Sequence, residues 1–325
     1  MKREKAKPPT AYGGQAAIEG VMMRGASSYC LAVRTSQGTI ETRTGTVKPP
    51  TTIAKIPILR GIVRMVASMK LGVTIMKDSA ELSGFEEYEG EPSKFDLWLE
   101  KKFGDNLTKV IVGVAIVLSL AISVGLFMVL PTLLSGLLSP LLGDSLWALG
   151  IIEGIVRLCI FMVYLLLVAR MKDIKRVFQY HGAEHKAINC YEAGEELTPE
   201  NCRKHNRLHK RCGTSFLLFV MLISMIFFLF VRTDVLWLRV ASRILFVPFI
   251  AGVSFEVIRW AGQSKSLFVR IISWPGLMMQ KITTSEPDDA QLQIAITALE
   301  TVIADEKGEV YCGHLTNTEP TAETP

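Results

Sequence analysis

Residues 110–130, VIVGVAIVLSLAISVGLFMVL, run for 21 positions without a charged side chain. A stretch of about 20 apolar residues is what an α-helix needs to cross the hydrocarbon core of a bilayer. In lipid only a structure that satisfies its own backbone hydrogen bonds survives, so such a run is read as a helix. Three more segments have the same texture: Leu146–Ala169, Thr214–Val231 and Leu236–Trp260. The chain is 49% hydrophobic with a mean hydropathy of +0.31, more apolar than soluble domains of this size. Residues 132–142, bracketed by Pro131 and Pro140, read as an irregular outer segment or an extension of the first span. The expected fold is mainly α: a polytopic helical membrane protein with about four transmembrane helices, interfacial helices and a small N-terminal β-hairpin or sheet.

Orientation follows from the basic residues. The stretch Arg170–Arg211 holds ten Lys or Arg, while the turn at Gly143–Ser145 holds none, so the long loop is placed in the cytoplasm with both termini. Arg232, Arg239 and Arg243 weaken that asymmetry, unless Arg239 and Arg243 turn into the bundle or snorkel to its boundary. No secretory signal is read at the start of the chain. The expected location is the cell membrane, multi-pass. A net charge of +5 set against 31 acidic side chains gives no polybasic surface, and no nucleic-acid partner is expected. Six scattered cysteines point to free thiols or metal ligands rather than a disulfide framework.

The chain divides accordingly. Residues 1–52 form a cytoplasmic β-rich segment, in which SYCLAVRTSQGTIETRTGTV alternates around Gln37-Gly38 as a hairpin does and AAIEGVMMRG adds strand material, three short strands in all. Residues 53–109 hold a helix over 56–82, interrupted by Arg60, Arg64, Lys70 and Lys77, which suits the membrane interface, a re-entrant path being the alternative. An acidic connector, 85–98, follows. The spans at 110–169 and 214–260 flank loop 170–213. Residues 261–313 combine an interfacial segment with a short amphipathic cytoplasmic helix bearing an acidic face, and 314–325 form a disordered tail.

The loop carries the chemistry. His181-Gly-Ala-Glu184-His185 is an H-x-x-E-H pattern, which on a helix sets two imidazoles on one face, four residues apart, with a carboxylate beside them. Such a pair grips a divalent ion, and Glu184 is placed to take a proton from a water that the ion has acidified. Solvated histidines at a helix start are the bland alternative. Further on, CRKHNRLHKRCGTSF adds Cys202, His205, His209 and Cys212. The expected ligands of zinc, or another divalent transition metal, are His181, His185 and His209, with Cys212 as fourth ligand or nearby nucleophile; Cys190, Cys202 and His205 rank below them. A closed four-ligand site would be a structural clip, so ligand number decides between catalysis and scaffolding.

Charged pairs inside apolar runs need partners as well. Glu153 and Arg157, four apart, and Glu256 and Arg259, three apart, should face the bundle interior, and Glu256 is a further candidate ligand or acid–base group. The glycines of GGQAAIEGVMMRG allow close backbone approach around Glu19 and Arg24, as a plain turn or as part of a site.

GGQAAIEGVMMRG, YHGAEHKAINCYE, RCGTSF and FEVIR, in this order, resemble the YqhQ family of bacterial membrane proteins over about residues 12–305. That family is of unknown function, and its description as a predicted metal-dependent enzyme rests on the same His-Glu-His pattern. The resemblance implies attention to His181, Glu184, His185, His209, Cys212 and Glu256. It departs at Lys210, where the family pattern has His-Pro-Arg, and Cys202 and His205 lie outside it. The resulting expectation is a metal-dependent hydrolase at the cytoplasmic membrane surface, with Glu184 as general base and Arg211 or Lys186 steadying an anionic intermediate. The rival is a membrane scaffold or assembly factor with a structural metal, docked on a secretion or insertion machinery. The expected partners are the lipid bilayer and, for the rival, another membrane protein.

Overall fold

The computed structural model describes residues 12–48, 56–84, 107–138, 140, 145–231, 235–263 and 266–309. The acidic connector, the C-terminal tail, Cys312, Arg232 and turn residues 143–144 lie outside the described residues. The chain divides into two compact units, Met1–Phe85 with Leu165–Val220 and Pro248–Pro325, and Glu86–Tyr164 with Met221–Val247.

In the first unit, four strands, β1 (Gly13–Ala17), β2 (Gly20–Arg24), β3 (Ser28–Arg34) and β4 (Ile40–Thr46), form an antiparallel meander in sequence order. That is one strand more than the alternation predicts. The β3–β4 turn falls at the expected Gly38, whose φ of 82° is one that a side chain rarely adopts. Because side chains alternate across a strand, Val21, Met23, Cys30 and Ala32 share one face and Met22, Leu31 and Val33 the other. Both faces are covered. Helix α1 (Leu59–Ser83) lays Ile75 on the second face and leaves Val66, Met69 and Val73 exposed.

The first face is covered by the helix bearing the His-Glu-His pattern, which is numbered α5 below (Lys172–Ala193), and by the final helix, α10 (Asp289–Lys307). α10 begins with a capping box between Asp288 and Gln291 and ends on left-handed Gly308. The apolar face of the expected amphipathic helix is wider than its spacing marks: Leu292, Ile294, Ala295, Ile296, Ala298, Leu299 and Val302 are all buried against the sheet and α5. A 3.6-residue period locates one apolar stripe, but alanines and Ile294 widen it.

Four helices are long and apolar enough to cross a membrane: Gly113–Leu137, Trp147–Val168, Gly213–Phe230 and Val240–Ala261. They fit a multi-pass membrane protein. The first is α2 (Leu107–Val124), a π-helical turn at Gly125–Val129, and α3 (Leu130–Leu137), so the segment beyond Pro131 continues the span. The others lie within α4 (Leu146–Val168), α7 (Gly213–Phe230) and α8 (Leu236–Gln263). Between α5 and α7 sits α6 (Pro199–Lys204), capped by Thr198. α9 (Leu267–Thr283) leads into an extended stretch, 284–288, before α10.

Candidate metal centre

α5 is buried on the sheet through Tyr180, Ala183 and Ala187, which leaves His181 and His185 together on a neighbouring face with ring centroids 4.4 Å apart. Each ring is fixed by its Nδ1. His181 Nδ1 is 2.8 Å from the carbonyl oxygen of Thr283, and His185 Nδ1 is 2.5 Å from that of Arg207. A carbonyl only accepts, so both rings carry a proton on Nδ1, and Nε2 is the nitrogen left to face a cation. Backbone carbonyls orient metal-bound histidines in this way.

His181 Nε2 lies 3.2 Å from Cys212 Sγ. Cys212 immediately precedes α7, and its sulfur receives the Thr214 N–H at 3.4 Å and lies 3.1 Å from Thr214 Oγ1. The start of a helix favours negative charge placed there. Donor atoms of His181, His185 and Cys212 all lie within 4.8 Å of one another, a set of two imidazoles and one cysteine sulfur that suits zinc. Burial holds His185 below the usual imidazole range, favouring the neutral ring a cation requires.

Glu184 is the remaining member of the pattern. Its carboxylate accepts the N–H of Gly14, yet Oε2 is buried without a hydrogen-bond partner. Burial pushes this acid above the usual carboxylate range, against the pull of His181 and His209. Gly14 explains the glycine-rich segment: a Cβ there would stand 2.9 Å from Glu184 Cγ and 2.6 Å from the Met22 carbonyl. Gly182 serves the other side, where a Cβ would fall 2.1 Å from the Ser285 carbonyl. Nearby, Glu19 adopts a φ of 51° in the β1–β2 turn and is held by Arg176 and by the Tyr180 hydroxyl at 3.2 Å. That acid ties the sheet to α5.

The remaining predicted site residues are placed elsewhere. His209 stacks 5.6 Å from His185, but its Nε2 faces Glu192 at 3.7 Å, so Cys212 stands where the sequence suggests a third histidine. Arg211 also pairs with Glu192, and Lys186 is engaged by Glu286 and the Arg203 carbonyl, both at 3.0 Å. Each cation is thus paired with a carboxylate. Both carboxylate oxygens of Glu256 accept from Arg60 at the start of α1, and Glu256 joins no metal-ligand group among the described residues. Cys190, Glu195 and His205 form a second converging group, but Glu195 is exposed. Burial in the apolar core raises the pKa of Cys190 and of its neighbour Cys202, favouring the neutral thiol over the thiolate that a metal takes.

Sequence reasoning misses Gln280. Fully buried at the end of α9, it accepts the His209 N–H and donates to the His209 carbonyl, both at 2.8 Å, and so fixes the loop that delivers Cys212. The only signal for it is a single amide side chain in a mostly apolar helix.

Residues 56–305 match the family described as protein of unknown function (DUF1385). The chain belongs to this family. It is similar to the uncharacterized protein YqhQ of Bacillus subtilis (strain 168), with 37% identity over 300 residues that cover 90% of this chain and 92% of that one. No solved structure matches. The YqhQ-family resemblance read from the four motifs is thereby borne out, and the family match takes in every donor of the centre, from His181 to Cys212.

Proposed function

We propose that the protein is a metal-dependent membrane enzyme of hydrolase type. His181, His185 and Cys212 hold a zinc ion, and Glu184 moves the proton. One observation carries this reading: two imidazoles with their Nδ1 atoms tied to carbonyls turn their Nε2 atoms toward a shared thiol, beside a buried carboxylate with an unpartnered oxygen. Three protein donors leave the open position that catalytic zinc sites keep. Zinc there supplies Lewis acidity and an acidified water. Glu184 is suited to accept a proton because its site already favours the protonated acid. Ten basic residues between Arg170 and Arg211 support placing the centre on the cytoplasmic side, in reach of lipid head groups, membrane-bound peptides and small cytoplasmic molecules.

Burial favours a second reading, a structural metal in a membrane scaffold, because His181, Glu184, His185 and Cys212 are each no more than 9% exposed. The two readings part at Glu184. The test is to purify the protein, measure bound metal, and ask whether Glu184→Gln and His185→Ala restore the phenotype of a strain lacking the gene. The enzyme reading expects Glu184→Gln to keep metal and fold but fail to restore, whereas His185→Ala loses both. Restoration by Glu184→Gln would leave the scaffold.

A further inference from the structure

A second polar cluster lies among the membrane helices, and the metal centre does not use it. Glu153 Oε1, on α4, accepts from Arg157 at 3.0 Å and from the Thr132 hydroxyl at 2.9 Å, and it pairs with Arg243 of α8. All four side chains are buried. Arg157 Nε also donates to the Phe127 carbonyl at 3.0 Å, inside the π-helical turn. In a regular α-helix that carbonyl would take the N–H of residue 131, which is Pro131 and has none. Such π turns recur at functional sites.

The charges do not balance. Two guanidinium groups face one carboxylate, and Glu153 is the sole carboxylate among the described residues of this unit. Arginine does not shed its proton in proteins, so the excess cannot be titrated away. Arg243 Nε, moreover, is buried with no hydrogen-bond partner. An ionised group inside a span is expensive unless it is paired, and such groups mark ligand sites.

We propose that this cluster binds one phosphate-type oxyanion, held by Arg243 with Arg157. Planar guanidinium forks match phosphate oxygens, and one monoanion cancels the residual charge. Depth admits either of two sources. Arg243 is three residues into the span Val240–Ala261 and Glu153 six into Trp147–Val168, so at about 1.5 Å per residue both lie within roughly 10 Å of those span ends. A lipid headgroup phosphate reaches that depth by dipping in, and inorganic phosphate reaches it from water.

The experiment uses the full-length protein in detergent, titrated separately with inorganic phosphate and with phosphatidylglycerol, with bound ligand counted by native mass spectrometry and stabilisation read from the unfolding midpoint. Wild type binds one equivalent, and the probe that binds names the source. Arg243→Gln weakens binding by about tenfold or more, the scale of one lost charge-assisted hydrogen bond. Glu153→Gln tightens it, because the internal competitor for both guanidinium groups is gone. That gain of affinity remains readable if Arg243→Gln fails to fold. Wild type binding neither probe, or both variants binding like wild type, overturns the proposal.

Discussion

His181 Nε2 and Cys212 Sγ meet at 3.2 Å across 31 residues of sequence, because the loop between them is pinned at His209 by Gln280. If these two atoms and His185 Nε2 are the ligands, Cys212→Ser lowers zinc affinity by more than about 100-fold, beyond the roughly 10–100-fold that loss of an outer-shell partner costs. His209→Ala stays within that smaller range. Competition against a chromophoric chelator measures both. Equal losses for the two variants would return His209 to the ligand set.

Glu184 predicts an unusual pH response in the metal-free protein. Its folded pKa is raised above the ordinary 4.5, so the folded state binds the proton more tightly than the unfolded chain. Stability from this residue is therefore fully present below about 4.5 and is lost as pH rises through the folded value. Glu184→Gln removes the ionising group. At pH 7.5 the metal-free variant should be more stable than wild type by about 1–3 kcal/mol, the cost of a buried unsatisfied group, and the gap should close toward pH 4.5. Unfolding midpoints in detergent at the two pH values decide it. A variant less stable than wild type at pH 7.5 would mean that Glu184 has a partner in solution.

What the sequence made legible here is what local pattern controls. Apolar runs located the four helices long and apolar enough to cross a membrane, and H-x-x-E-H located α5 and three of the residues at the centre. The missing parts are long-range. Nothing in the residues around Thr283 and Arg207 says that their backbone carbonyls orient two histidines, because a carbonyl has no side-chain signature. His209 and Cys212 were both visible, but which turns inward is set by Glu192 and Gln280, themselves distant in sequence. α10 was found in place, but the burial of Ile294, Ala295 and Ala298 beside its expected apolar stripe shows only once the sheet packs on them.

The two close-packed glycines should separate by mechanism. Gly182→Ala drives a Cβ to 2.1 Å from the Ser285 carbonyl, a backbone atom that cannot swing away, and should cost about 1–3 kcal/mol or more. Gly14→Ala meets Glu184 as well as the Met22 carbonyl, so it should displace the carboxylate and impair function even where the protein still folds. Gly213→Ala, with open space around the added methyl, is the neutral control. Unfolding midpoints paired with metal content and complementation report all three. Gly182→Ala behaving like Gly213→Ala would show that the 284–288 stretch does not press on α5.

Arg60 and Glu256 join the start of α1 to α8 through both carboxylate oxygens, with side chains 20% and 24% exposed. A bond this engaged argues against Glu256 as a ligand. Glu256→Gln should leave zinc content at the wild-type level and lower the unfolding midpoint, since it leaves the Arg60 guanidinium with a weaker acceptor. Arg60→Gln should cost a similar amount, and the double variant should cost less than the sum, because each single change removes the same contact. Metal analysis with a double-mutant cycle on unfolding midpoints tests both halves. Loss of zinc in Glu256→Gln, with stability intact, would move this carboxylate into the metal centre and break the link to α1.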